Sequence, residues 1–131
     1  MKSLIVEDDF SSRLLLQHFL APYGEINFAA NGLEAIEAFK MSLKEKIPYD
    51  LICLDIQMPE MDGRMALKLI RDIEESSGIL YGDGVKVIMT TSLSDKDVIL
   101  HAFREACDAY IIKPVEKTKL LNQLKLFSLI S

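Results

Sequence analysis

Apolar residues follow two rhythms along this chain. Short continuous runs rich in Val, Ile and Leu fall at about residues 2–6, 26–29, 51–54, 85–89 and 109–112, the pattern of strands buried on both faces. Between them the apolar positions recur every three or four residues. Leu16, Phe19 and Leu20 form one such set; Ile36, Phe39 and Leu43 a second; Ala66, Leu69, Ile70 and Ile73 a third; Ile99, Ala102, Phe103 and Ala106 a fourth; Leu120, Leu124 and Phe127 a fifth. Each set makes one stripe of a helix. Asn31-x-x-Glu34 and Ser94-x-x-Asp97 read as capping boxes, and Asp62 is placed to cap the helix through Leu69. Strand and helix alternate five times, and short connections between parallel strands impose right-handed crossovers. The pattern predicts an α/β fold, a doubly wound five-stranded parallel sheet with helices on both faces. Strand order 2-1-3-4-5 suits five strands and places the switch point between strands 1 and 3. The irregular stretch at 76–84 leads into strand 4 and is expected as a surface loop at the other end of the sheet.

That topology gives chemical meaning to the polar residues at the end of each apolar run. Glu7-Asp8-Asp9 succeeds the first, Asp55 ends the third, Thr90-Thr91-Ser92 succeeds the fourth and Lys113-Pro114 the fifth. Carboxyl ends of parallel strands face one crevice, so carboxylates, a hydroxyl and an ammonium should meet there. Asp55 is the candidate nucleophile, because a carboxylate can attack activated phosphorus to form an acyl phosphate. Several acids in one crevice repel one another unless a cation is present. Magnesium suits a few carboxylates, a carbonyl and waters. Asp9 and Asp55 are expected as direct ligands and Asp8 through water, with Glu7 a surface or outer group. Lys113 supplies a point charge for a phosphoryl oxygen, and Thr91 a hydroxyl for another. Strand alternation turns Thr90 the other way, into packing.

Composition narrows the picture. The chain has 131 residues, half of them apolar, enough for one domain spanning 1–131. Its formal charge is −5, from 20 acids against 15 bases without a long basic run, so direct nucleic-acid binding is not expected. The first apolar run is too short for a signal peptide and none could span a bilayer, which points to a cytoplasmic protein without a membrane role. Cys53 and Cys107 read as buried hydrophobes in a reducing compartment. His18 and His101 read as ordinary helix residues.

Val6-Glu7-Asp8-Asp9-Phe10, the segment from Leu54-Asp55-Ile56-Gln57-Met58-Pro59 to Asp62-Gly63, Thr91-Ser92 and Tyr110-Ile111-Ile112-Lys113-Pro114 resemble the CheY-like receiver domain of bacterial two-component response regulators. The resemblance covers essentially the whole chain and implies a flavodoxin-like (βα)5 fold. It also implies phosphoryl transfer from a sensor histidine kinase or histidine phosphotransfer protein to Asp55. Asp8, Asp9 and the backbone carbonyl of Gln57 would surround Mg2+, Lys113 would contact the phosphoryl group, and Lys113-Pro114 would be cis. Thr91 and Tyr110 would form a switch pair. Gln57 and Leu93 match positions that tune phosphoryl lifetime in that family, and Leu93 cannot orient water. The family also places an output face, for a downstream target or a homodimer, on the helix near 95–106, strand 109–112 and the helix near 117–127. Such a domain would be a signalling protein whose only reactions are its own phosphoryl transfer and slow autodephosphorylation. A haloacid-dehalogenase-type phosphatase would also pair an aspartate nucleophile with magnesium. It requires a second acid two residues on, where this chain has Gln57. An unphosphorylated scaffold receiver is the other alternative, and the full set of site residues argues against it.

Overall fold

The computed structural model describes residues 1–58, 61–80, 82–92 and 107–131. The strands are β1 (Lys2–Val6), β2 (Glu25–Ala29), β3 (Leu51–Asp55), β4 (Lys86–Thr91) and β5 (Ala109–Ile112). They form one parallel sheet in the order β2-β1-β3-β4-β5, as the apolar pattern predicts. The described helices are α1 (Phe10–Leu20), α2 (Gly32–Lys44), α3 (Gly63–Ser76) and α4 (Lys117–Leu126), with a short 3-10 turn at Ala21–Tyr23. The fourth helical periodicity, with its Ser94-x-x-Asp97 box, His101 and Leu93, lies outside the described residues.

The central strands β1, β3 and β4 have almost no exposed residues because both of their faces are covered. Successive side chains of a strand point to opposite sides, and the core divides accordingly. Leu4, Val6, Ile52, Leu54, Val87 and Met89 pack under Ala35, Ile36 and Phe39 of α2 and Ala66, Leu67 and Ile70 of α3. Ile5, Leu51, Cys53, Ile88, Ala109 and Ile111 pack under Leu16 and Leu20 of α1 and Leu120 and Leu124 of α4. Every residue of β3 is buried, whereas β2, at the sheet edge, exposes Glu25 and Phe28.

Three helix starts are fixed by side-chain caps, which satisfy otherwise orphaned N–H groups. Asn31 Oδ1 accepts from Glu34 N at 2.9 Å, Asp62 Oδ1 from Met65 N at 3.0 Å and Asp9 Oδ2 from Ser12 N at 2.9 Å. All three caps stand at the carboxyl end of the sheet, so the same turns that begin these helices carry the site.

Candidate functional site at the carboxyl end of the sheet

β1 and β3 are neighbours whose following helices cover opposite faces, and the crevice opens between their ends. Asp55 is the last residue of β3 and is 4% exposed. Its Oδ1 accepts the Gln57 N–H at 3.1 Å, and its Oδ2 lies 3.3 Å from Lys113 Nζ. The Lys113 ammonium also donates to Glu7 Oε1. Lys113 is held from behind by its own N–H to the Thr91 carbonyl at 2.7 Å, and the Lys113–Pro114 bond is cis.

The acid set differs from the expectation at two positions. Carboxylate oxygens of Glu7, Asp8 and Asp55 lie within 4.8 Å of one another. Asp9 is not among them: its carboxylate is turned to the Ser12 N–H as the cap of α1, and that bond holds its pKa below the ordinary aspartate value. Glu7, expected outside the cluster, is 1% exposed and inside it. The cause is local. Because β1 ends at Val6 and α1 begins at Phe10, the last acid of the triplet occupies the N-cap, where an aspartate is strongly preferred. The two acids before it are left for the crevice. The signal was present in the sequence as Asp9-x-x-Ser12, an aspartate one residue before a helical stretch.

Electrostatics of the cluster call for a cation. Burial, together with the adjacent Asp55 carboxylate, raises the Glu7 pKa against the opposing pull of Lys113. For Lys113, burial works to lower the pKa, but Glu7 and Asp55 outweigh it and raise the value. Three carboxylates against one ammonium leave two formal negative charges in the crevice. An all-oxygen donor set with that surplus fits a hard divalent cation such as magnesium. Neither thiol competes as a nucleophile near neutral pH, because burial pushes Cys53 up to about 12 and Cys107 to about 11.

Thr91, fully buried, ends β4, and Tyr110, half-buried, lies on β5. Their neighbours are in register as Met89↔Tyr110 and Thr91↔Ile112, so Thr91 and Tyr110 point to the same side of the sheet. Tyr110 packs there with Met58 and Met61 against the core under α2 and α3. Across the crevice mouth Ser92 Oγ donates to Gln57 Oε1 at 3.2 Å, a contact between two exposed side chains that neither local stretch announces.

The chain belongs to the response regulator receiver domain family, whose profile matches residues 3–125. It is 30% identical over 123 residues to the chemotaxis protein CheY of Bacillus subtilis, covering 92% of each chain. Other curated relatives are much longer, and this chain spans 24% of one of them. Among solved structures it is similar to the CheX–CheY–BeF3–Mg2+ complex from Borrelia burgdorferi. The TM-score is 0.79, identity is 28%, and the match covers 97% of this chain and 89% of that one. It is also similar to the receiver domain of the Saccharomyces cerevisiae response regulator Ssk1, solved with the histidine phosphotransfer protein Ypd1. There the TM-score is 0.81, identity is 26%, and coverage is 97% and 88%. Receiver domains act in two-component and phosphorelay signalling rather than as conventional enzymes, and this chain is one of them. Among the described residues no helix is long and apolar enough to cross a membrane.

Proposed function

We propose that this receiver domain accepts a phosphoryl group on Asp55 with magnesium held by Glu7, Asp8, Asp55 and the backbone carbonyl of Gln57. The observation that carries this reading is the convergence of three carboxylates within 4.8 Å beside the Lys113 ammonium. The donor is a phosphohistidine of a sensor kinase or of a phosphotransfer protein, the kind of partner with which the yeast receiver was solved. An Asp55 oxygen forms the new bond to phosphorus while the nitrogen–phosphorus bond of the donor breaks. Transfer through a loose transition state is governed by positioning and charge. Magnesium, when bound, supplies positive charge for the phosphoryl oxygens and for the crowded carboxylates. Lys113 Nζ, now shared between Glu7 and Asp55, swings to a phosphoryl oxygen, and the Thr91 hydroxyl meets another. Gln57, held by Ser92 at the mouth of the crevice, and Leu93 set how slowly the acyl phosphate hydrolyses. Thr91 and Tyr110 then relay the charge to the face that includes β5 and α4, where a downstream protein or a second copy docks.

Acetyl phosphate or phosphoramidate with magnesium is expected to add one phosphoryl group per chain. Mass spectrometry should find none on Asp55→Asn. Equal labelling of that variant would remove Asp55 from its role, and labelling undiminished by a chelator would remove the metal.

A further inference from the structure

Two glycines mark close backbone approaches at the acceptor loop, described at residues 55–58 and 61–63, where a methyl group would not fit. A Cβ on Gly63 would lie 2.2 Å from the Asp55 carbonyl oxygen. That closeness belongs to the loop's own closure, in which Gly63 N–H donates to the Ile56 carbonyl at 2.9 Å. The second approach comes from outside the loop. Gly32, the buried first residue of α2, would place a Cβ 2.8 Å from the Met61 carbonyl oxygen and 2.9 Å from Met61 Cβ and Cγ. Its turn is tied to the crevice a second time, because the Glu7 N–H donates to the Ala29 carbonyl at 3.0 Å. A turn without a chemical group at the site therefore touches both of the loops that carry its acids.

We propose that this β2–α2 turn braces the phosphoacceptor site and that Gly32 is a positioning residue, acting through Met61 on residues 61–63 and the Gly63–Ile56 hydrogen bond that ties them to the end of β3. A methyl group at position 32 must push something aside. α2 is anchored by its Asn31 cap and by Ala35, Ile36 and Phe39 in the core. The Met61 thioether can turn, but its carbonyl oxygen cannot, because Asp62 caps α3 next to it and Gly63 closes onto Ile56. The displacement goes into the Gly63–Ile56 closure, next to which the Gln57 N–H fixes Asp55 Oδ1. Magnesium tolerates little departure from octahedral geometry, so a shift of a few tenths of an ångström is felt as lost affinity and slower transfer. The inference rests on the proposed role of the site.

The test compares Gly32→Ala with Gly78→Ala, whose Cβ would meet nothing although its φ of +80° makes substitution strained. Gly32→Ala should move the amide NMR signals of Gln57 and Gly63 in metal-free protein. It should also lower magnesium affinity and acetyl phosphate labelling about tenfold, the usual size for a group supporting metal ligands. Gly78→Ala should lose thermal stability and keep both. Met61→Ile, which presses the same contact from the loop side at nearly constant volume, should reproduce the labelling loss and serves if Gly32→Ala does not fold. Wild-type magnesium affinity and labelling in both site variants, whatever their stability, would overturn the brace. If wild type takes no label yet Gly32→Ala still moves the loop amides, the brace stands and the phosphoacceptor reading fails.

Discussion

Lys113 sets its ammonium between two buried carboxylates, and the length of each acid decides what it can do there. A glutamate at position 7 reaches past the end of β1 to the ammonium, while Asp9 is short enough to fold back on the Ser12 N–H. The two differ by two positions in sequence and have separate tasks, so their substitutions should separate. Glu7→Gln should weaken magnesium binding about tenfold or more, since a ligand charge is lost from the cluster. Asp9→Ala should leave magnesium affinity nearly unchanged and lower the melting temperature through loss of the cap. Isothermal titration and thermal unfolding of the two variants measure both effects. A larger loss of affinity in Asp9→Ala would return Asp9 to the ligand set. At this scale the apolar runs were enough to bring Asp8, Asp55 and Lys113 to one crevice, where the structure has them. They put Asp9 there in place of Glu7, because three consecutive acids look alike until the helix start is fixed.

Caps and strand ends were the most legible elements. Asn31 and Asp62 cap α2 and α3 as their spacing predicts, because a cap is a local contract between residues three apart. What could not be read is pairing over long separations at the amino end of the sheet. Glu74 lies on the buried stripe of α3, four residues after Ile70, and is 5% exposed. Its Oε2 accepts the Val85 N–H at 2.7 Å and its Oε1 the Arg71 guanidinium at 2.7 Å. Arg71 also donates to Asp108 Oδ2 at 3.0 Å, and that oxygen accepts the Val87 N–H at 2.8 Å. α3, β4 and β5 are thus stapled below the sheet, and the loop expected at the surface is anchored where it enters β4. Removing one member of a buried ion pair leaves the other desolvated and unpaired. Arg71→Met should therefore cost about 3 kcal/mol in urea unfolding while leaving Asp55 labelling intact, since the staple is at the far end of the strands. A variant as stable as wild type would mean that solvent reaches Glu74 and Asp108 and satisfies them.

Over the whole molecule, the strand order could be read in advance because continuous apolar runs, short connections and one handedness leave few topologies. The output could not, since it depends on how the two ends of one sheet face communicate. Phosphorylation at Asp55, as proposed, would add about −1.5 to −2 charges, and a partner reads a surface, so some element must have two arrangements. The described residues offer a short route. Thr91 is fully buried beside the crevice, its carbonyl holds the Lys113 N–H, and Tyr110 shares its side of the sheet. If Lys113 and Thr91 turn to phosphoryl oxygens as proposed, the ends of β4 and β5, tied by the Lys113 N–H to the Thr91 carbonyl, would be pulled toward Asp55 and open space for the Tyr110 ring. Ile112, 44% exposed, is the last residue of β5, and α4 follows it. Beryllofluoride with magnesium should therefore shift amide NMR signals along β5 and α4 more than along the body of α2. Thr91→Ala should suppress the distant shifts and keep those at the metal. Shifts confined to residues around Asp55 in wild type would show that charge enters the crevice and is not relayed, and would leave the domain to signal through the crevice mouth itself.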